Sequence, residues 1–239
     1  MSKFFYPLVD NPYRKKDIYK AIEVLKSNKI TSGIKTINFQ NSFKKKLKLD
    51  NALMVNSGSS ANLLALQCLI NPYRKKRLKW GDEILIPSLC WSTSLWPIIQ
   101  SGLKPKFVDI EKTTLNIDLE DLKSKITKKT KGILIVHVLG NSTNMNELMK
   151  IKKKHNLYLI EDTCESLGTK FGNKYLGSFG EFSSFSFYTS HQISSGEGGM
   201  ICCKNQEDFE ILKALRAHGW SRGLKNEQKI SKQNKHLDK

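Results

Sequence analysis

The sequence predicts an α/β fold in which helices cover a buried, mainly parallel sheet. Short apolar strands alternate with helical segments along most of the chain, which is typical of repeated strand–helix–strand units. The strand predicted over residues 132–138 is almost wholly apolar, as expected when both faces are covered. Ligands of such folds bind at the carboxyl ends of the strands, so the residues that follow each strand are candidates for a site.

The elements follow in order along the chain. An amphipathic helix is predicted over residues 14–28, where Ile18, Ile22 and Leu25 recur at helical spacing, and a lysine-rich helix follows to about residue 49. The rest of the pattern predicts strands over residues 52–55, 83–86, 106–108, 132–138, 157–160 and 182–188, and helices over residues 61–70, 92–100 and 144–155.

The composition is that of a globular protein of the cytoplasm. The chain has 239 residues, of which 39% are hydrophobic and 26% charged. No apolar run approaches the roughly 20 residues of a membrane span, and the N-terminus lacks a signal-peptide core. The five cysteines have no CxxC spacing, which suggests reduced thiols. We therefore expect a cytoplasmic protein without a membrane partner.

The net charge of +18 leaves nucleic-acid binding open as an alternative. The lysines are scattered along helices, however, and neither interleaved aromatic residues nor a nucleic-acid motif accompanies them. We therefore expect no nucleic-acid partner. Retention on DNA or RNA that falls with salt would favour the alternative.

The turn NSGSSA, residues 56–61, lies between a predicted strand and a predicted helix. Small residues allow the backbone to approach a phosphate, and the first turn of a helix offers unpaired N–H groups. Serine and glycine also cap helices for purely structural reasons. The candidate phosphate ligands are Ser57, Gly58, Ser59 and Ser60.

Three other strands carry candidates at or near their ends. Trp91 follows the strand over residues 83–86, although an aromatic residue at such a junction is more often part of the core. Asp162 follows the strand over residues 157–160, and a buried carboxylate is costly unless it is paired. Ser186 shares a face of its strand with Ser184, which fits either a ligand contact or exposure to solvent.

Residues 182–200, FSSFSFYTSHQISSGEGGM, run from an aromatic strand into a Gly-Glu-Gly-Gly turn. With the turn at residues 56–61, Trp91 and Asp162, this segment resembles the active-site motifs of the DegT/DnrJ/StrS family of sugar aminotransferases. The resemblance extends over nearly the whole chain. It implies the three-layer, aspartate aminotransferase-like large domain of a transferase that uses pyridoxal 5′-phosphate, and a nucleotide-linked keto sugar as substrate.

The resemblance also implies roles for single residues. The serines and glycine of residues 57–60, together with Ser186, would bind the cofactor phosphate. Trp91 would stack on the pyridine ring, and Asp162 would pair with the ring nitrogen. Glu165 stands where the family usually places Gln or His near the ring hydroxyl. An acidic residue there would have to be protonated or turned away.

His191 stands where the family has the lysine that bonds covalently to the cofactor. Histidine cannot form that bond, but it can still move protons. The same exchange marks a branch of the family that resembles sugar 3-dehydratases, in which pyridoxamine 5′-phosphate is held noncovalently. There the histidine moves a proton, and a nucleotide-linked 4-keto-6-deoxy sugar loses its 3-hydroxyl as water. The resemblance thus implies 3-dehydration in polysaccharide or lipopolysaccharide sugar synthesis, with an amino donor such as glutamate.

Two other functions stay open. The chain could be a nucleotide-sugar aminotransferase, as the family name suggests, or a noncatalytic fragment that keeps the fold. One relative in the dehydratase branch carries an iron–sulfur cluster on cysteines after this region. Residues 204–239 contain no cysteine, so we expect no metal site.

We divide the chain into an N-terminal arm and helix (residues 1–30), a cofactor-binding large domain (residues 31–225) and a polar tail or truncated loop (residues 226–239). Family members continue into a small C-terminal domain, so the resemblance implies that this domain is missing. We therefore expect the chain alone to bind cofactor poorly and to turn over little sugar. Family sites also borrow residues from a second subunit, which implies a homodimer.

Overall fold

The computed structural model describes residues 9–220 and residue 224. The first eight residues of the predicted arm and the predicted tail over residues 226–239 lie outside the described residues. The described helices are α1 (Lys15–Lys26), α2 (Ile34–Leu47), α3 (Gly58–Ile70), α4 (Ser92–Gln100), α5 (Leu119–Lys125), α6 (Met145–His155) and α7 (Gln206–Arg216). The described strands are β1 (Asn51–Val55), β2 (Glu83–Pro87), β3 (Lys104–Val108), β4 (Thr130–Val136), β5 (Tyr158–Asp162), β6 (Lys170–Phe171), β7 (Lys174–Tyr175), β8 (Phe182–Ser186) and β9 (Gly199–Cys203).

Seven of these strands form one sheet in the order β1-β9-β8-β5-β4-β2-β3. The five strands from β8 to β3 are parallel neighbours, whereas β9 pairs antiparallel with both β8 and β1. Strand β9 is therefore the one strand of this sheet that runs in the opposite direction. The predicted α/β fold with a mainly parallel sheet is confirmed. Strands β6 and β7 form a separate short ribbon.

Helices cover the sheet on both faces. Successive residues of a strand point to opposite faces, so Leu134 packs in the cluster with α3 and α7, whereas Ile133 and Ile135 pack with α5 and α6. Helix α2 covers the part of the second face formed by β8 and β9, where its Phe43 contacts Phe185 edge to ring. The predicted three-layer arrangement is therefore present, with the sheet as the middle layer.

Helix α1 differs from the other helices because none of its 12 residues is buried. Its apolar residues Ile18, Ile22 and Leu25 are all exposed. In α2, by contrast, Phe43 and Leu47 are buried against the sheet. This contrast supports the predicted boundary near residue 30, which stays a prediction.

The sequence pattern missed α5 and the β6–β7 ribbon, and it gave no bounds for β9 or α7. Helix α5 has only seven residues, too few for a clear helical period, and it depends on Asp118, whose side chain accepts hydrogen bonds from the backbone N–H groups of Glu120 and Asp121. The ribbon strands have two residues each, so no alternation can develop. Strand β4 ends two residues earlier than predicted, because the chain enters a 3₁₀ turn at Val138–Gly140.

A buried ion pair joins the loop after α3 to α7. Arg74 Nε donates to Asp208 Oδ1 at 2.7 Å, Nη2 donates to Oδ2 at 3.2 Å, and Asp208 is only 2% exposed. We expect Asp208→Ala to lower the free energy of unfolding by about 1–3 kcal/mol, because the partly buried guanidinium of Arg74 would lose its counter-charge and both hydrogen bonds to it. Urea unfolding followed by circular dichroism measures the change.

The matched control is Glu23→Ala, which breaks the exposed ion pair with Lys20. Exposed pairs contribute little, so no measurable change in unfolding is expected there. If Asp208→Ala were no more destabilising than Glu23→Ala, the ion pair would not hold α7 on the domain.

Candidate active site

Three strands bring the predicted residues to one edge of the sheet. Strands β1, β5 and β8 run in the same direction and end there, and β9 begins there. A Cβ built on Gly58 would lie 2.5 Å from Cys164 Sγ and 3.0 Å from Ser186 Cβ. The turn after β1, the loop after β5 and the end of β8 therefore lie in direct contact.

The turn after β1 opens α3. The Ser57 side chain caps this helix by accepting a hydrogen bond from the backbone N–H of Ser60 at 3.1 Å. Helix α3 therefore begins at Gly58, three residues earlier than predicted, and residues 58–60 form its first turn. Gly199 of β9 packs on this turn so closely that a Cβ would lie 2.3 Å from the Ser57 carbonyl carbon. The final glycine of the Gly-Glu-Gly-Gly turn is thus required by the backbone contact.

We expect Gly58→Ala to lower the free energy of unfolding by about 1–3 kcal/mol, because the added methyl group would overlap Cys164 Sγ in a closely packed place. The matched control is Gly33→Ala, because Gly33 precedes α2 and its added Cβ would meet only the Thr31 carbonyl oxygen at 3.6 Å. Thermal or urea unfolding compares the two variants. Equal stability of both would show that the close contact at Gly58 is not required.

Asp162 ends β5 with its carboxylate buried, 5% exposed. Asn62 Nδ2 donates to Oδ2 at 2.7 Å, and Ser94 Oγ donates to the same oxygen at 2.8 Å. The backbone N–H of Cys164 donates to Oδ1 at 3.2 Å. Neutral donors, and not a cation, therefore stabilise this buried carboxylate.

Asn62 and Ser94 were both missed by the sequence analysis. Asn62 lies on α3, one turn after Gly58, and Ser94 lies in the first turn of α4. An amide within the otherwise apolar run ANLLAL, residues 61–66, is the signal in the sequence that could have pointed to Asn62. No comparable signal marks Ser94, because serine is common in the first turn of a helix.

His191 lies in the segment between β8 and β9. Its Nδ1 lies 2.7 Å from the Cys164 carbonyl oxygen, and because a carbonyl only accepts, Nδ1 is the donor. In the neutral ring Nε2 then carries a lone pair and can take up a proton. Cys164 connects the two predicted residues, since its N–H faces Asp162 and its carbonyl faces His191.

Trp91 and Ser186 also lie at this edge. The Trp91 side chain is 74% exposed, so it is not part of the core. Ser59 Oγ donates to Thr93 Oγ1 at 2.9 Å, which joins the first turn of α3 to that of α4 just after Trp91. Ser186 is half-buried, and its Oγ accepts a hydrogen bond from the backbone N–H of Tyr188.

The carboxylate of Glu165 faces a neighbouring turn. Its Oε2 accepts a hydrogen bond at 2.7 Å from the backbone N–H of Leu139, which has the left-handed φ of 51°. Gln192, next to His191, donates to the Glu165 carbonyl oxygen at 2.7 Å. This geometry fits the alternative in which Glu165 is turned away, and its role toward a cofactor stays a prediction.

Glu161 lies beside Asp162 on β5, but its side chain points to the opposite face of the sheet. Its carboxylate is fully buried and accepts hydrogen bonds from the backbone N–H groups of Gly177, Phe179 and Gly180, at 2.6–2.9 Å. His137 Nε2 lies 3.3 Å from Oε2. These contacts fix the segment that leads into β8, so Glu161 stabilises the position of β8 from the face of the sheet opposite Asp162.

The two thiols near Asp162 are held in the neutral form. Burial raises the pKa of the Cys164 thiol well above its usual range, and the negative charge of Asp162 adds to the effect. Burial likewise raises the pKa of Cys90, with Asp162 again contributing. Neither thiol is therefore activated as a nucleophile.

In residues 9–220, no helix has both the length and the hydrophobicity needed to span a lipid bilayer. Within the same residues, no three His, Cys, Asp or Glu side chains come together in a group that could hold a metal ion.

The fold and this arrangement at the carboxyl edge define the large domain of the aspartate aminotransferase-like, pyridoxal-phosphate-dependent transferases. The chain belongs to the DegT/DnrJ/EryC1/StrS aminotransferase family, whose sequence model matches residues 12–236. The resemblance inferred from the sequence motifs is therefore confirmed.

Among the relatives of this chain is a GDP-4-keto-6-deoxy-D-mannose 3-dehydratase from Escherichia coli, which is 44% identical over 227 residues, 95% of this chain and 58% of the relative. A solved structure of an E. coli enzyme of this name, with bound hydrated pyridoxal phosphate, has a TM-score of 0.88 at 43% identity, over 92% of this chain and 56% of that one. A solved structure of a GDP-4-keto-6-deoxymannose 3-dehydratase with a trapped pyridoxal phosphate–glutamate geminal diamine has a TM-score of 0.87 at 44% identity, with the same coverage. The chain thus spans little more than half the length of these relatives.

Proposed function

We propose that this protein acts on a GDP-linked 4-keto-6-deoxy sugar with pyridoxamine 5′-phosphate as cofactor, and that it removes the 3-hydroxyl group as water. The observation that carries the proposal is the imidazole of His191, held through Nδ1 by the Cys164 carbonyl so that Nε2 is available. The similar 3-dehydratases from E. coli supply the substrate class. Such an enzyme would serve polysaccharide or lipopolysaccharide sugar synthesis.

The residues present fit the cofactor. Gly58 lets the first turn of α3 pack directly on Cys164 and Ser186, and the backbone N–H groups of such a turn attract a phosphate. Within the described residues, Asp162 Oδ1 accepts one backbone hydrogen bond, from the N–H of Cys164, and a carboxylate oxygen can accept a ring N–H as well. The exposed ring of Trp91 offers a surface for stacking. The bound cofactor supplies an amine that reacts with keto groups and a ring that accepts electrons.

The protein residues then have separate tasks. The first turn of α3, with Ser57, Ser59 and Ser60, and Ser186 from β8 bind the phosphate. Asp162 would keep the ring nitrogen of a bound cofactor protonated by accepting a hydrogen bond from its N–H, because an ionised carboxylate favours the positively charged ring.

His191 carries the proton. Its Nδ1–H bond to Cys164 fixes the ring plane and the tautomer, so Nε2 acts as the base that takes up a proton at the reacting centre. The same nitrogen can return the proton as an acid. The segment offers no amine for a covalent bond to the cofactor, because residues 175–203 contain no lysine.

The remaining assignments are part of the same proposal. Glutamate is the amino donor that regenerates the cofactor amine, and one of the similar structures holds a glutamate adduct of the cofactor. The protein works as a homodimer in the cytoplasm, and its five free thiols fit a reducing compartment. We propose residues 31–225 as the cofactor-binding domain and residues 1–30 as an N-terminal arm and helix.

The test is incubation with pyridoxamine 5′-phosphate and GDP-4-keto-6-deoxymannose. We expect one ammonia released for each sugar consumed and a 3-deoxy sugar nucleotide as product, detected by mass spectrometry. A 4-amino sugar formed without ammonia would identify an aminotransferase instead. If the unaltered protein consumed no sugar, a noncatalytic role would be favoured. A loss of sugar consumption in His191→Ala would exclude that role.

A further inference from the structure

The two side chains that hold Asp162 have no role in the assignments above. Asn62 and Ser94 both donate to Oδ2, at 2.7 and 2.8 Å, whereas within the described residues Oδ1 accepts one backbone hydrogen bond, from the N–H of Cys164 at 3.2 Å. The two oxygens of the carboxylate are therefore unequal. The side-chain donors occupy one of them, and the other keeps an open lone-pair direction.

The Asn62 amide is oriented so that its nitrogen donates to Asp162, although its oxygen is then left without a partner within the described residues. Asn62 is 1% exposed, and within the described residues its Oδ1 has no hydrogen-bond partner. An unpartnered buried oxygen is unfavourable. Reversing the amide would direct this oxygen at the Asp162 carboxylate, and two acceptors would then face each other. The amide therefore keeps its nitrogen on Asp162 although its oxygen is left unpaired.

The position of each donor in its helix links Asp162 to another part of the candidate site. Asn62 lies four residues after Gly58, so it is on the same face of α3, one helical turn after the residues proposed to bind the phosphate. Ser94 lies three residues after Trp91, and its backbone N–H donates to the Trp91 carbonyl at 2.9 Å. The two bonds to Oδ2 thus set the distance from the Asp162 carboxylate to the first turn of α3 and to Trp91.

We infer that Asn62 and Ser94 are positioning residues, which fix Asp162 through Oδ2 so that Oδ1 is presented to the ring nitrogen of the cofactor. Their action is indirect, because both act only through the carboxylate of Asp162. This inference rests on the proposed function, since it requires a pyridine ring at the site.

The first test is Asn62→Asp, which keeps the size of the side chain but replaces the donor by a second carboxylate. Above neutral pH we expect the dissociation constant for pyridoxamine 5′-phosphate, measured by fluorescence titration, to rise at least about tenfold over that of the unaltered protein, because two close carboxylates repel each other. In acid the pair can share one proton, which restores a donor to Oδ2. The ratio of the two constants should then fall to about threefold or less.

Asn62→Leu and Ser94→Ala separate this effect from simple packing. Both remove a donor without adding charge, so their binding defects should persist at the lower pH. Asn116→Asp and Ser101→Ala are matched controls, because Asn116 and Ser101 are also buried but bond to other groups. Neither control should change the ratio of dissociation constants. Circular dichroism and urea unfolding identify any variant that is not folded, and Ser94→Ala alone still tests the inference if Asn62→Asp is not.

Two outcomes distinguish the inference from the proposed function. If the unaltered protein binds neither pyridoxamine nor pyridoxal phosphate, the proposed function fails. If it binds them, and folded Asn62→Asp and Ser94→Ala bind equally well at every pH, the positioning role alone is overturned. A loss in Asn62→Asp that acid does not reverse would also overturn it, because that loss would reflect packing and not the hydrogen bond to Oδ2.

Discussion

His191→Ala is expected to lower the rate of ammonia release from pyridoxamine 5′-phosphate and the 4-keto sugar nucleotide by about 10²–10⁴-fold, the usual contribution of a positioned acid or base. The reason is that Nε2 is the base of the proposed reaction, and the Nδ1 bond to Cys164 holds it in place. Affinity for the cofactor should change little, because no covalent bond depends on this side chain. Coupled detection of ammonia and fluorescence titration measure the two quantities on the same preparation.

The matched control is His155→Ala. His155 ends α6 just before β5 and therefore lies at the opposite edge of the sheet. Its replacement should leave both the rate and the affinity unchanged. A His191→Ala variant with the rate of the unaltered protein would remove this histidine from the mechanism, and a large loss of cofactor affinity would indicate a binding role instead.

Asp162→Ala is expected to weaken binding of pyridoxamine 5′-phosphate by about 10–100-fold, which corresponds to the loss of a hydrogen bond to a charged group. The variant would also leave the buried donors of Asn62 and Ser94 without an acceptor, so a loss of stability of about 1–3 kcal/mol should accompany the weaker binding. Isothermal titration and urea unfolding measure the two effects.

Asp82→Ala serves as the control for Asp162, because Asp82 precedes β2 at the opposite edge of the sheet, where its carboxylate accepts only a loop N–H. We expect the affinity of this control to be unchanged. If Asp162→Ala bound the cofactor as tightly as the unaltered protein, Asp162 would not contact the ring nitrogen.

The sequence predicts the parallel part of the fold well, because each buried strand is a short apolar run bounded by turn residues. It does not predict where β9 lies. Strand β9 enters the sheet between β1 and β8, and that position depends on pairing between segments about 150 residues apart. Residues 199–203 form an apolar run that fits several places in a sheet.

The sequence likewise predicts some residues of the candidate site and not others. The motifs that follow β1, β5 and β8 identify the turn at Gly58, Asp162 and His191, because the loops at strand ends carry the residues that contact ligands. The sequence marks Asn62 only as an amide in an apolar run and does not mark Ser94, because the contacts of both depend on which helix faces the carboxylate.

The sequence also does not predict the tautomer of His191. It is fixed by a backbone carbonyl, and every residue at position 164 would carry one. Glu165 shows the opposite case, because its departure from the family pattern could be seen in the sequence. Only the structure pairs its carboxylate with the N–H of Leu139.

The most direct test of the account is whether the protein holds its cofactor without a covalent bond. The protein is reduced with borohydride in the presence of pyridoxal phosphate, digested with trypsin and analysed by mass spectrometry. The informative peptide begins at residue 175, and it contains no lysine up to residue 203. We predict no added mass in the unaltered protein and a reduced pyridoxyl group on the corresponding peptide of His191→Lys. A stoichiometric adduct on any lysine of the unaltered protein, lost in Asp162→Ala, would contradict the account.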